Sequence, residues 1–403
     1  MNFLSLIIFK IKMEERIEKL EKMVAELATE NKGLKQDISS LKNKLNSIEL
    51  KNQDYLTRIM NLEKKEKYAQ IQQKLTNAPK LNVKHNHTDW ITTLCLLNGR
   101  YALTGSKDRS IKCLQIGDDD DEESVLFTIE KAHESEIQYI LKISNTEVIS
   151  CGDEGSIKRW FVDSSYSFEK KKNRYKLLET FSINGSYKVH DSAYKIIKLK
   201  NGDLCSCGKG SRIKFWKKDN ITDKHEKYQE LECKAEYVQS VLELDDNKLV
   251  AGGWHSTQFF DIKEFKSETI IPDTFTEHAN AMIRMGDKII CSGWGIFFID
   301  IKTQQLLSKI QIEYECEEGI YCLAPLTKNL IICGGNLRTI DIYDIENYEK
   351  VASRPVEDEF IFDVKNDEGG FIFCGSKNIF GYIMSEFNDG KLNNEEENEE
   401  NED

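Results

Sequence analysis

The stretch EVISCGDEGSIKRW, Glu147–Trp160, has a near copy 56 residues further on, DLCSCGKGSRIKFW, Asp203–Trp216. Each runs a short apolar segment into a glycine, crosses a polar turn, and returns through Ile-Lys to an aromatic end, which reads as two strands joined by a tight turn. Five more segments follow the scheme: YALTGSKDRSIKCL (Tyr101–Leu114), KLVAGGWHSTQFFDI (Lys248–Ile262), KIICSGWGIFFIDI (Lys288–Ile301), NLIICGGNLRTIDIYDI (Asn329–Ile345) and GFIFCGSKNIFGYIM (Gly370–Met384). Their glycines, Gly105, Gly152, Gly208, Gly252, Gly293, Gly334 and Gly375, are 41 to 56 residues apart. Units of about 40 residues are the period of β-propeller blades, one four-stranded sheet per unit. The two longest steps hold charged inserts, GDDDDEES (Gly117–Ser124) and FEKKKNRYK (Phe168–Lys176), expected in outer loops.

These segments resemble the WD-repeat family, from about residue 84 to 384. The resemblance implies a hydrogen-bond network in each blade, joining a turn His, a second-strand Ser or Thr, a turn Asp and a third-strand Trp. Blade two offers His133, Ser150, Glu154 in the Asp place and Trp160; blade one offers His87, Thr104 and Asp108, with Leu114 for the Trp. Blade three has His190, Ser206 and Trp216, but Gly210 stands where the Asp belongs. Later blades depart further, with Phe260, Ile299 and Tyr343 at the Trp place and His278 alone as a turn His. The last unit supplies three strands before the chain turns acidic, so Leu81–Val83 is expected to complete it, because an open ring would expose a strand edge.

A heptad precedes the repeats. Met13, Ile17, Leu20, Val24, Leu27, Leu34, Ile38, Leu41, Leu45, Ile48, Tyr55, Ile59 and Leu62 alternate at spacings of three and four, with Asn31 and Asn52 at the two polar a positions. That is the seam of a coiled coil, and a buried Asn at a pairs with its counterpart when two helices run parallel in register. The g-to-e pairs Arg16–Glu21, Glu30–Lys35, Asp37–Lys42 and Lys44–Glu49 are attractive across such a dimer. Gly33 faces solvent at a c position and costs about 1 kcal/mol. The expected organisation is an apolar leader (1–12), a parallel coiled coil (13–65), a linker with the closing strand (66–84), an all-β seven-bladed propeller (85–386) and an acidic tail (387–403). The helix is expected to join beside the clasp between blades seven and one. The leader has too short an apolar run to span a bilayer and no basic flank, so no signal peptide or anchor is expected, and Met13 is an alternative start.

Charge and composition narrow the function classes. The formal net charge is −13, and seven of the acids lie in the tail segment Glu395–Asp403, so the body is mildly acidic. General nucleic-acid binding needs a basic face and is not expected. The 11 cysteines sit in apolar runs rather than at disulfide spacings, which fits an intracellular protein, cytoplasmic or cytoskeleton-associated. Cys205 and Cys207 share one strand face, yet a zinc site needs four ligands and no second pair falls at ligand spacing. No nucleophile elbow, Gly-Lys-Ser/Thr phosphate loop or His-Glu-x-x-His occurs, so no enzyme, cofactor or metal is expected.

The expected contact surface is the top face, where Trp90, Trp254 and Trp294 lie in or beside the turns, with Arg109, Glu154, His255 and Arg338 in equivalent places. Rigid aromatics there would suit peptide binding, although each Trp could equally fold back to complete its blade. A coiled coil with WD repeats looks like G-protein β subunits, autophagy conjugation scaffolds and striatin-like adaptors. The expected function is a non-enzymatic scaffold, a homodimer presenting two propellers to protein segments. The alternatives are a substrate-recognition subunit of a ubiquitin ligase and a G-protein β-like signalling adaptor. A lipid-binding propeller is disfavoured, because GGNLRTID offers Arg338 without a second arginine.

Overall fold

A computed structural model of the chain describes residues 3–383, apart from 84, 99–100, 117–123, 164–173, 246, 273–278, 312–318, 337, 359, 368–369 and 377. Most of both charged inserts, His278 and the acidic tail lie outside the described residues. Two compact units are present, 1–69 and 70–403.

The first unit is helical. One α-helix, Phe3–Asn77, takes in the expected leader, the heptad region and residues 66–77, which were expected to form a linker. The correction has a local cause: EKYAQIQQKLTN contains no breaker, and only Pro79 restricts the residue before it away from the helical region. The seam from Ile17 to Leu62 faces outward along this single chain, with Ile17 48% and Leu62 66% exposed.

The second unit is a closed ring of seven four-stranded antiparallel sheets. Blades one to six span 91–129, 137–180, 193–232, 238–272, 281–311 and 320–355, each running from inner to outer strand in chain order. Blade seven has three consecutive strands, Ile361–Asp367, Gly370–Gly375 and Ile379–Ile383, and takes Lys80–Val83 as its outer strand. Leu81 pairs with Gly381 and Val83 with Ile379, which is the expected clasp. Both faces of a blade are covered by its neighbours, so second strands read as unbroken apolar runs rather than alternating ones. The core is therefore divided into layers between blades. Cys95, Leu103, Ile111, Ile140, Val148 and Trp160 fill the layer between blades one and two. Phe181, Ile196, Leu204 and Trp216 fill the next with Ile149 and Cys151.

Two features of register explain the repeat. In blades one, two, three, four, six and seven the pairing of inner and second strands shifts after the first residue, and the aligned second-strand positions are Ser106, Gly152, Gly208, Gly253, Gly335 and Gly375. The marker glycines of blades one, four and six thus fall one residue early. A Cβ at Gly208 would overlap the Ser192 carbonyl, and one at Gly253 the Tyr237 carbonyl, because the loop leading into the blade crosses there. A second shift, between third and outer strands, falls at Leu114, Trp160, Trp216, Phe260, Ile299 and Tyr343. Those are the six residues assigned to the Trp place.

The last helical turns belong to this unit, and their docking corrects the expected site. Ile71 and Leu75 are buried. The Gln72 amide pairs with the Ser353 backbone in both directions, donating to its carbonyl and accepting from its N–H, each at 2.9 Å. Arg354 donates to the carbonyls of Leu75 and Ala78 at 2.7 and 2.8 Å and lies 4.1 Å over Tyr382. The helix end thus packs where blades six and seven meet, not between seven and one. The outer strand Glu349–Pro355 has a free backbone edge, and Gln72 satisfies it.

Candidate functional site

The blade networks form as the residue pattern implies, and their differences are informative. In blade one His87 bonds Asp108 through Nδ1 and Thr104 through Nε2, both at 2.8 Å. In blade two His133 bonds Glu154 at 2.5 Å and Ser150 at 2.7 Å, and Trp160 Nε1 donates to Ser150 at 2.8 Å. In blade three His190 Nε2 and Trp216 Nε1 both meet Ser206 Oγ at 2.9 Å. There the buried His190 Nδ1 has no partner, because Gly210 brings no carboxylate. Burial lowers the His190 pKa to about 3, so this imidazole is neutral.

Glu154 is spent inside its blade. Its carboxylate also accepts from Ser156 Oγ and from the Ser135 N–H. Burial works against its charge, but the bonds from His133 and Ser156 outweigh burial and lower its pKa to about 2. Of the two places expected for it, these bonds put the carboxylate in the blade network.

Among the described residues no later blade shows the network, and blade four has a geometric reason. Blades one and two have turns with room for an acid two residues after the glycine position, whereas in blade four Gly253 pairs with Ser256 across only Trp254 and His255. Substitutes fill the same regions. Gln258 accepts from the Lys234 N–H at 2.9 Å and donates to Ser267 at 2.8 Å, and Asp341 accepts from Ser353 Oγ at 2.6 Å.

Arg109, His255 and Arg338 hold left-handed backbone, with φ of 71°, 62° and 55°, at their turns, and their side chains are exposed. Trp90, Trp254 and Trp294 are half-buried. Trp90 stacks on Phe360 and Phe362 at 5.1 and 5.5 Å, with Lys107 Nζ 4.3 Å from its ring. Trp254 lies 4.4 Å from Tyr237. They form two separate groups, one on blades one and seven and one on blade four, while Trp294 stands on blade five.

Two sets of residues escaped sequence reasoning. Lys112, Lys158 and Lys214 each donate to the carbonyl just before the turn His, those of Asn86, Ala132 and Val189. The signal was the repeated Ile-Lys in the first three blades. The other set is Arg159, buried against Glu147, Glu179 and Asp223, with His225 bonded to Glu179 at 2.8 Å. It stitches the outer strands of blades two and three, and nothing local in the sequence joins those positions.

All ten described cysteines are free and buried, and burial pushes the Cys207 thiol up to about 12. Among the described residues no group of three His, Cys, Asp or Glu could hold a metal ion. No described helix is long and apolar enough to cross a membrane.

No family model matches the chain, and no curated protein does. Among solved structures, the crystal structure of the WD40 β-propeller domain of Doa1 matches with a TM-score of 0.58 and 14% identity, covering 76% of this chain and 95% of that one. The closed ring of seven four-stranded blades agrees with that match: the fold is a WD40-type seven-bladed β-propeller preceded by a long helix.

Proposed function

We propose that the protein is a non-enzymatic interaction scaffold in which a parallel coiled coil pairs two chains and each propeller binds a protein segment through its top face. The observation that carries this is the uncovered heptad seam, apolar from Ile17 to Leu62 except at Asn31 and Asn52, in one chain with a propeller whose described networks serve blade architecture. Asn31 and Asn52 specify the parallel register, and complementary g and e charges select a second copy. Two sites on one dimer raise avidity about 100-fold or more toward a partner with matching epitopes. Trp254, Trp294, Trp90, Arg109, His255 and Arg338 are the proposed contacts. Crosslinking mass spectrometry on the endogenous protein, alongside a Trp254→Ala, Trp294→Ala variant, tests the surface: every partner surviving would refute it. A monomeric mass for residues 13–66 in solution would refute the dimer.

A further inference from the structure

The inner strands line the channel of the propeller, and just past each register shift they place one residue at the same level: Thr93, Tyr139, Lys195, Ser240, Cys322 and Asp363. This belt is bonded from blade to blade. Asp363 accepts from the Leu94 N–H at 2.9 Å and from Thr93 Oγ1 at 3.4 Å, Thr93 Oγ1 accepts from the Ile140 N–H at 3.3 Å, and Lys195 donates to Ser240 Oγ at 3.0 Å.

Two ammonium groups converge inside it. Lys195 Nζ, from blade three, and Lys365 Nζ, from blade seven, each lie 5.7 Å from the ring centre of Tyr139 in blade two. Blades two and seven are not neighbours, so Lys365 reaches Tyr139 through the channel rather than along a shared interface. The charges there do not cancel. Asp363 bonds Lys365 at 2.9 Å, whereas Lys195 has one hydroxyl and a ring face and forms no ion pair with a carboxylate among the described residues. Burial lowers the Lys195 pKa, which reports the cost of that charge. Lys365 keeps 30% of its side chain exposed, so solvent reaches the site.

We propose that the channel binds one anionic group, of carboxylate or phosphate class, between Lys195 and Lys365. The anion supplies the acceptors that Lys195 lacks, and charge-assisted bonds to it are stronger than neutral ones. The stack of Trp90, Phe360, Phe362 and Tyr321 provides aromatic surface on the inner side of blades one, six and seven, suited to the apolar flank of a partner segment. When a partner's side chain carries the anion, this rests on the top-face reading; when the anion is free, it stands without it.

The test is calorimetric titration of the full chain with inorganic phosphate at constant ionic strength, and in a second arm with phosphoserine and glutamate peptides. Saturable phosphate binding is expected, weakened about tenfold or more by Lys195→Met or Lys365→Met and tightened by Asp363→Asn, which removes the competing carboxylate. In the wild-type protein, phosphate should slow reductive methylation of Lys195 and Lys365 relative to chloride, a readout that needs no variant. Peptide binding with the same lysine dependence identifies a partner side chain as the source, and phosphate binding alone identifies a free anion. Heat and methylation that respond only to ionic strength, or unchanged affinity in both lysine variants, would overturn the proposal without touching the tryptophan test of the top face.

Discussion

Removing the Glu154 carboxylate should weaken the blade-two network, which, unlike that of blade three, keeps an acid beside its histidine. In Glu154→Ala the buried His133 Nδ1 loses its 2.5 Å acceptor and keeps only the Ser156 hydroxyl at 3.1 Å, while the Ser156 hydroxyl and the Ser135 N–H lose their acceptor. A buried donor left without a partner costs about 1–3 kcal/mol. Proton linkage gives a second measure. A carboxyl lowered from 4.5 to about 2 corresponds to at most about 3 kcal/mol, and its partial exposure reduces this to about 1–2 kcal/mol. Burial also lowers the His133 pKa against the pull of Glu154, while the bonds from His133 and Ser156 and the attraction of His133 keep the carboxylate charged. The sign follows from a depressed folded-state pKa. The stabilisation is complete above the unfolded value of 4.5 and is lost as pH falls through about 2. Urea unfolding of wild type and Glu154→Ala should therefore differ by about 2 kcal/mol from pH 5 to 8, with the gap closing toward pH 2. At neutral pH the melting temperature should fall by about 2–5 °C. A difference below about 0.5 kcal/mol, the range of an ordinary surface substitution, would show that the carboxylate's bonds do not hold the blade and refute the reasoning.

The reciprocal change is Gly210→Asp with Ser211→Gly, which gives His190 Nδ1 an acceptor and frees the left-handed position where Ser211 has φ 54°; it should gain up to about 1 kcal/mol in the same assay, less whatever strain the φ of +108° puts on the new Asp, and Gly210→Asp alone should gain less still, because Ser211 then stays left-handed. Arg354→Ala removes two bonds to helix-terminal carbonyls and the contact over Tyr382, and hydrogen exchange should quicken in residues 70–83 while the second strands of blades two and three stay protected. Equal protection throughout would show that Arg354 does not hold the clasp.

The fold was legible because its determinants are local and repeated. A glycine where the loop crosses the strand, an apolar run buried on both faces and an aromatic at the outer register shift recur at nearly constant spacing, so seven weak signals reinforce one another. Leu114, Phe260, Ile299 and Tyr343 could be placed without a Trp among them, since each sits at the same step in the pattern. The helix end was misplaced for the opposite reason: Gln72 and Ser353 lie 281 residues apart, and their pairing depends on which blade edge the ring leaves free. The channel belt was hidden likewise. Lys195 and Lys365 look like ordinary strand lysines in AYKIIK and FDVKND, and only ring closure brings both to Tyr139. Periodicity reports what every blade must do to pack, whereas a functional position is where one blade differs from its sisters. Gly210 shows how the two kinds of information meet. The comparison of repeats exposed the missing acid, and the geometry of His190 shows what its absence costs.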